Sequence, residues 1–227
     1  MEGDRILIRK KLSEIPDAAA YFRRLSGIDP ASVPEKYGDS VSNAHAALLE
    51  RAELSLLVRR MPVLSCGEGE VRLTEELSLV GEMPPKVLSQ SQEVICFVGT
   101  LTGFSNESND MMVEYFIDTW GSAYIEAGQA WLATEVQAAL VAEGMNRTHL
   151  WCPGQHRFEL NNQRTLFSLL HPEDVGCTLT KRLMMVPAKS VSGIMGVVPA
   201  GTENLLVPCD FCRFRPTCPS RQNCAAL

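Results

Sequence analysis

Two spacings of apolar residues alternate along this chain. A spacing of three or four marks candidate helices. In residues 13–27, Pro16 and Asp17 stand near the start, Tyr21, Phe22 and Leu25 lie inside, and Gly27 closes the segment. Ser40 can cap a second helix, expected to run to about Arg60 because Val41, Ala44, Leu48, Ala52 and Leu56 keep the interval. Residues 109–143 form the longest helical stretch, with Phe116, Trp120, Tyr124, Ala127 and Trp131 as its apolar stripe. Gly121, Gly128 and Gly144 weaken it, so a break or a close packing is expected near Gly121. A short helix over residues 162–170 turns Leu166, Phe167, Leu169 and Leu170 inward.

Shorter runs read as strands. Ile6, Leu7 and Ile8 form one, and residues 63–66 and 70–73 form two more around Gly67 and Gly69. Val94, Ile95, Cys96, Phe97 and Val98 are continuous, which predicts a strand over residues 93–100 buried on both faces. Residues 179–185 and 190–198 are expected as two further strands separated by Pro187, and residues 28–37, with two prolines, as a loop. Helices interspersed with strands, none followed by a glycine-rich phosphate turn, indicate an α+β fold over a doubly wound sheet.

Composition narrows the function. With 227 residues and 45% hydrophobic content, the chain can bury one sizeable core. The net charge of −6 argues against a nucleic-acid surface, which needs clustered Lys and Arg. The short basic groups Arg9-Lys10-Lys11, Arg23-Arg24 and Arg59-Arg60 read as solvated element ends. The start lacks an apolar leader core, and no run reaches the roughly 20 apolar residues of a membrane span, so a cytoplasmic location without membrane association is expected. None of the usual hydrolase, nucleotide-loop or metalloprotease motifs is present, and His45, His149, His156 and His171 lack metal-ligand spacing.

Eight cysteines in such a compartment are expected as reduced thiols or metal ligands. Cys66, Cys96, Cys152 and Cys177 are scattered in mostly apolar context and read as buried structural thiols. Cys209, Cys212, Cys218 and Cys224 crowd into a proline-bearing tail. Four thiolates can hold zinc or an iron-sulfur cluster. A redox dithiol and unligated thiols remain the alternatives.

Three blocks have a recognisable order. They are Cys152-Pro153-Gly154-Gln155 followed by Gln163, Leu166-Phe167 and Leu169-Leu170; then Gly176-Cys177-Thr178-Leu179-Thr180; then Met184-Met185-Val186-Pro187-Ala188-Lys189-Ser190-Val191-Ser192-Gly193. In order and spacing they resemble the activation domain of cobalamin (vitamin B12)-dependent methionine synthase, and more closely its short stand-alone relatives with a cysteine-bearing tail. The resemblance weakens along the helix from Met111, and none is traced for residues 1–90. It implies one activation-domain-like α+β fold, with a central, largely antiparallel sheet flanked by helices. Residues 1–90 are then the N-terminal portion of that domain, 91–204 the activation-like region and 205–227 an irregular cysteine-rich tail.

The resemblance also implies a task. A corrinoid cobalt that has been oxidised by accident cannot accept a methyl group. In such systems an electron-donor protein reduces it while the domain presents S-adenosylmethionine, whose methyl traps the reduced metal; the cofactor supplies the difficult chemistry and the protein its positioning. The implied partners are a corrinoid-binding protein or methyltransferase, which carries the cobalamin, and the electron donor. The alternative is a non-catalytic redox or metal module that docks on a corrinoid protein.

The family's loop, Arg-Pro-Ala-Pro-Gly-Tyr, maps onto Leu150, Trp151, Cys152, Pro153, Gly154 and Gln155. Its arginine and tyrosine are replaced by Leu150 and Gln155, and Arg147 and Arg157 are the nearby guanidiniums able to substitute for the arginine. An acidic pair on the family's long helix aligns with Asp118 and Ser122, with Glu126 one turn on. From the residues alone these are a solvated helix face or a ligand-binding stripe. Ser190 and Ser192, beside Lys189, are implied to border the ligand, or else satisfy a structural turn.

Overall fold

The computed structural model describes residues 4–218. Its elements follow as β1 (Ile6–Lys11), α1 (Ala18–Ser26), α2 (Gly38–Arg51), β2 (Glu53–Pro62), β3 (Ser65–Gly67), β4 (Glu70–Arg72), β5 (Ser78–Val80) and α3 (Met83–Leu88). Then come β6 (Glu93–Thr102), α4 (Met111–Ala142), β7 (Met145–Arg147), α5 (Asn162–Leu170), β8 (Thr178–Leu179), β9 (Met185–Val186) and β10 (Ser190–Pro199).

The long strands β2, β6 and β10 sit in the middle of a five-stranded antiparallel sheet of order β1-β2-β6-β10-β7. Successive side chains on a strand point to opposite faces, and here both faces are apolar. Leu54, Leu56, Ile95, Phe97, Val191, Met195 and Val197 enter one core with α1, α2 and α4. Leu57, Met61, Val94, Cys96, Val98 and Ile194 enter a second core with α3, α5 and the small sheet β3-β4-β5. The result is a mixed α+β architecture, an antiparallel sheet with helices on both sides, and the near-continuous apolar run of β6 is its direct consequence.

Most predicted elements are present, and two differ. The second helix stops at Arg51, where β2 begins. Leu54 and Leu56 satisfy a period of two as well as a period of four. Pairing of β2 with β1 on one side and β6 on the other decides between them. The expected strand over residues 179–185 is instead a hairpin of β8 and β9. The polar pair Lys181-Arg182 turns outward, Leu183 takes φ +63°, and the Thr180 amide donates to the Met184 carbonyl (2.9 Å). Gly121 does not break α4. A Cβ there would lie 2.6 Å from the Phe104 ring, so the glycine admits close packing. Asp110 caps α4 by accepting from the Met112 amide at 2.8 Å. No helix among the described residues is long and apolar enough to cross a membrane.

Candidate functional site

The residues singled out by sequence fall at two places along α4. One lies at the start of β10. There Lys189, its side chain 12% exposed, donates from Nζ to Asp118 Oδ1 (2.7 Å) and Ser122 Oγ (2.9 Å). Ser122 in turn donates to the Asp118 main-chain oxygen (3.1 Å). The lysine stem crosses the bare backbone of Gly121, and its ammonium stands 5.7 Å from the Phe104 ring centre. Glu126 turns away from this cluster and pairs with Arg24 of α1. Ser190 donates to the Pro187 carbonyl (2.7 Å) and shares a hydrogen bond with Thr100 Oγ1 (2.8 Å), while the Cys177 thiol donates to Ser190 (3.6 Å). Ser192 is buried, and its hydroxyl has no hydrogen-bond partner among the described residues.

The second place is the turn after Trp151, which is anchored to β10. The Trp151 amide donates to the Ile194 carbonyl (3.0 Å) and the Ile194 amide to the Trp151 carbonyl (2.9 Å). Gly193 permits this approach, since a Cβ there would lie 2.8 Å from the Trp151 carbonyl oxygen. Trp151 itself is fully buried. Cys152 faces α4, its thiol donating to Gln129 Oε1 at 3.6 Å. Burial pushes that thiol up to about 12, so it is protonated and unreactive at neutral pH. Gln129 lies on the same face of α4 as Asp118, about three turns and about 16 Å further along the axis. The loop and the Asp118 cluster therefore meet α4 at different levels.

From Gly154 the turn faces the tail. Gly154 takes φ +86°, His156 +48° and Arg157 +64°. Two short backbone bonds hold this conformation: Gly154 N–H to the Phe158 carbonyl and Phe158 N–H to the Gln155 carbonyl, both 2.7 Å. The tail returns through a single turn of helix at Pro208–Phe211 and seats Phe211 5.8 Å from the Trp151 ring. A cavity of about 730 Å³ separates residues 154–157 from residues 210–214, a volume in the range of small-molecule sites. Burial lowers His156 below its ordinary value, leaving a neutral imidazole at the cavity wall at pH 7.

Of the two guanidiniums able to replace the missing loop arginine, Arg147 is committed elsewhere. It donates from Nε to the Ala133 carbonyl (2.9 Å) and from Nη1 to the Thr148 carbonyl (3.2 Å). Arg157 lines the cavity. Gln129, Phe211 and Arg213 belong to no motif in the sequence. Helical spacing alone marks Gln129 as sharing a face with Asp118; no local signal marks the two tail residues.

Cys209, Cys212 and Cys218 are half-buried free thiols, and Cys224 lies outside the described residues. Among the described residues no group of three or more His, Cys, Asp or Glu is arranged to hold a metal ion. Cys96, Cys152 and Cys177 are buried as expected, whereas Cys66 is exposed on β3 and donates to the Pro85 carbonyl (3.6 Å). All three residues of its short strand are exposed, so local apolar context did not translate into burial.

No protein family and no curated protein sequence matches this chain. Among solved structures it is similar to one titled "Crystal Structure of the MetH Reactivation Domain bound to AdoHcy", with a TM-score of 0.62, 12% identity, and coverage of 89% of this chain and 81% of that one. The two share the reactivation-domain fold.

Proposed function

We propose that this chain binds S-adenosylmethionine and serves as a reactivation partner for a corrinoid-dependent methyltransferase, such as a cobalamin-dependent methionine synthase. The observation that carries this reading is the fold likeness to a reactivation domain crystallised with AdoHcy, joined to a small-molecule-sized cavity on the Pro153-Gly154 turn. The chemistry of the walls fits such a ligand. A guanidinium suits its carboxylate, the Phe211 and Phe214 rings suit its base, and main-chain groups of the turn suit its hydroxyls.

We place the ligand against the turn bearing Cys152, Pro153, Gly154 and Gln155. The partner's cobalamin would supply the nucleophilic cobalt, and an external electron donor its reduction. This chain's share is to bind the methyl donor, orient it and exclude water from around it. Asp118 and Ser122 are held by Lys189, and Glu126 by Arg24, so in this reading they fix α4 against β10 and α1.

Calorimetry on the purified chain tests the binding step. Heat of binding is expected with S-adenosylmethionine and with S-adenosylhomocysteine; no signal at about 1 mM ligand removes the proposal. Methyl transfer from S-adenosylmethionine to a reduced corrinoid protein, dependent on added chain, tests the rest.

A further inference from the structure

Several arginines of this acidic protein pair with carboxylates. Arg5 pairs with Asp174, Arg9 with Glu53, Arg23 with Asp29, Arg24 with Glu126, and Arg60 with both Glu93 and Glu143. Arg157 and Arg213 are among the arginines that do not, and these two share a cavity. They stand on opposite walls of the cavity between the Gly154 turn and the tail, and neither makes an ion pair or hydrogen bond among the described residues. The carboxylate that shares the cavity, Asp210, is taken by Arg215 at 2.6 Å. Glu82, whose carboxylate feels the Arg157 charge, is held by Lys86 at 2.6 Å. In a chain with 27 acidic residues against 21 basic ones, two uncompensated guanidiniums facing one space leave a positive cavity.

The backbone supports the same reading. His156 and Arg157 are consecutive non-glycine residues at positive φ, a conformation that costs free energy and collects at functional sites. The two 2.7 Å backbone bonds around Phe158 keep them there. On the other wall, Arg213 stacks over Phe214, 4.6 Å from the ring centre, which restrains its guanidinium.

We propose that this cavity is an anion site in which Arg157 and Arg213 grip one carboxylate or phosphate group from opposite sides, so that the tail supplies half of the binding machinery. Guanidinium forks match the geometry of both anions. Phe211, Phe214 and the Gln155 amide line the same space, so the ligand is a small molecule with an apolar or aromatic body and one anionic arm. Where that arm is the carboxylate of the nucleoside's amino-acid end, the inference rests on the ligand proposed above.

Calorimetry on the full chain separates the two ideas. Three probes are used: pyrophosphate, S-adenosylhomocysteine, and 5′-methylthioadenosine, which keeps the nucleoside sulfide but lacks the carboxylate arm. Both arginines are exposed, so Arg157→Gln and Arg213→Gln are expected to leave the urea midpoint unchanged. Each is expected to weaken S-adenosylhomocysteine by about 10–100-fold, the loss of a charge-assisted hydrogen bond, and to leave methylthioadenosine unaffected. Binding of S-adenosylhomocysteine that neither variant changes overturns the anion site and leaves the proposed function standing. Arginine-dependent binding of pyrophosphate without binding of the nucleoside supports the anion site and sinks the proposed ligand. Absence of binding by all three probes overturns both.

Discussion

Two regions that contact α4, the start of β10 and the turn after Trp151, handle charge in opposite ways. Near the start of β10, Lys189, Asp118 and Ser122 satisfy one another within 3 Å, and Ser190 is bonded to Pro187 and Thr100. About 16 Å along the helix, the turn after Trp151 holds an equally fixed backbone but leaves Arg157 and Arg213 facing empty volume. A satisfied polar cluster offers a ligand nothing until its internal bonds are broken. Donors already positioned and lacking partners offer their full interaction energy. Chemically suggestive residues therefore do not mark a site by type alone; what remains unpaired in the folded chain is the more informative quantity.

Loss of the side chain that seats the turn is expected to have the greatest consequence. The Trp151 indole is fully buried in the second core and contacts Phe211, while its main-chain bonds to Ile194 do not depend on the side chain. Trp151→Ala is expected to cost about 3–5 kcal/mol in urea unfolding and to abolish ligand binding. A loss below about 1 kcal/mol would show that the turn does not depend on the core. Gly193→Ala comes next. The new methyl would meet the Trp151 carbonyl at 2.8 Å and the Phe97 ring at 2.7 Å, and about 1–3 kcal/mol is expected from overpacking. Unchanged stability together with unchanged ligand affinity would refute the close approach of β10 to the turn.

Lys189→Met probes the Asp118 end of α4. Asp118 is half-exposed, so its release is expected to change stability by less than about 1 kcal/mol. S-adenosylhomocysteine affinity should stay within about twofold of the parent. A tenfold gain would move the ligand to the Asp118 end and reverse the assignment of the two regions.

The smallest effect is on pH dependence. Burial lowers the pKa values of His45, His149 and His156 below 6.5, with the Arg147 charge adding to the shift at His149. Between the folded-state value and 6.5 the unfolded chain holds more protons, so stability rises with pH through that window. It is fully present above 6.5 and lost as pH falls through the folded-state values. Urea midpoints measured across that range test this. His156→Gln is expected to flatten part of the slope at the turn, and an unaltered slope would show that His156 is protonated equally in both states.

Much of the fold follows from local patterning. The continuous run Val94 to Val98 declared a strand buried on both sides, and Phe116, Trp120, Tyr124 and Ala127 declared the buried face of α4. Where two periods fit the same residues, as at Leu54 and Leu56, spacing could not choose between helix and strand, because the deciding hydrogen bonds run to β1 and β6. The proposed site was legible in part. The Pro153-Gly154 turn and Arg157 could be named from their neighbours in sequence, while Phe211 and Arg213 could not.

What the order of residues determined by itself is therefore the set of elements and the turn on which the cavity is built. These depend on side-chain period, capping and backbone freedom within a few residues. Only the tertiary structure decided which charges are spent on one another: Lys189 with Asp118, Arg24 with Glu126, Arg215 with Asp210. It also brought Arg157 and Arg213, both without a carboxylate partner among the described residues, to one cavity. Coulombic pairing depends on distance through space, and packing around two apolar cores sets that distance.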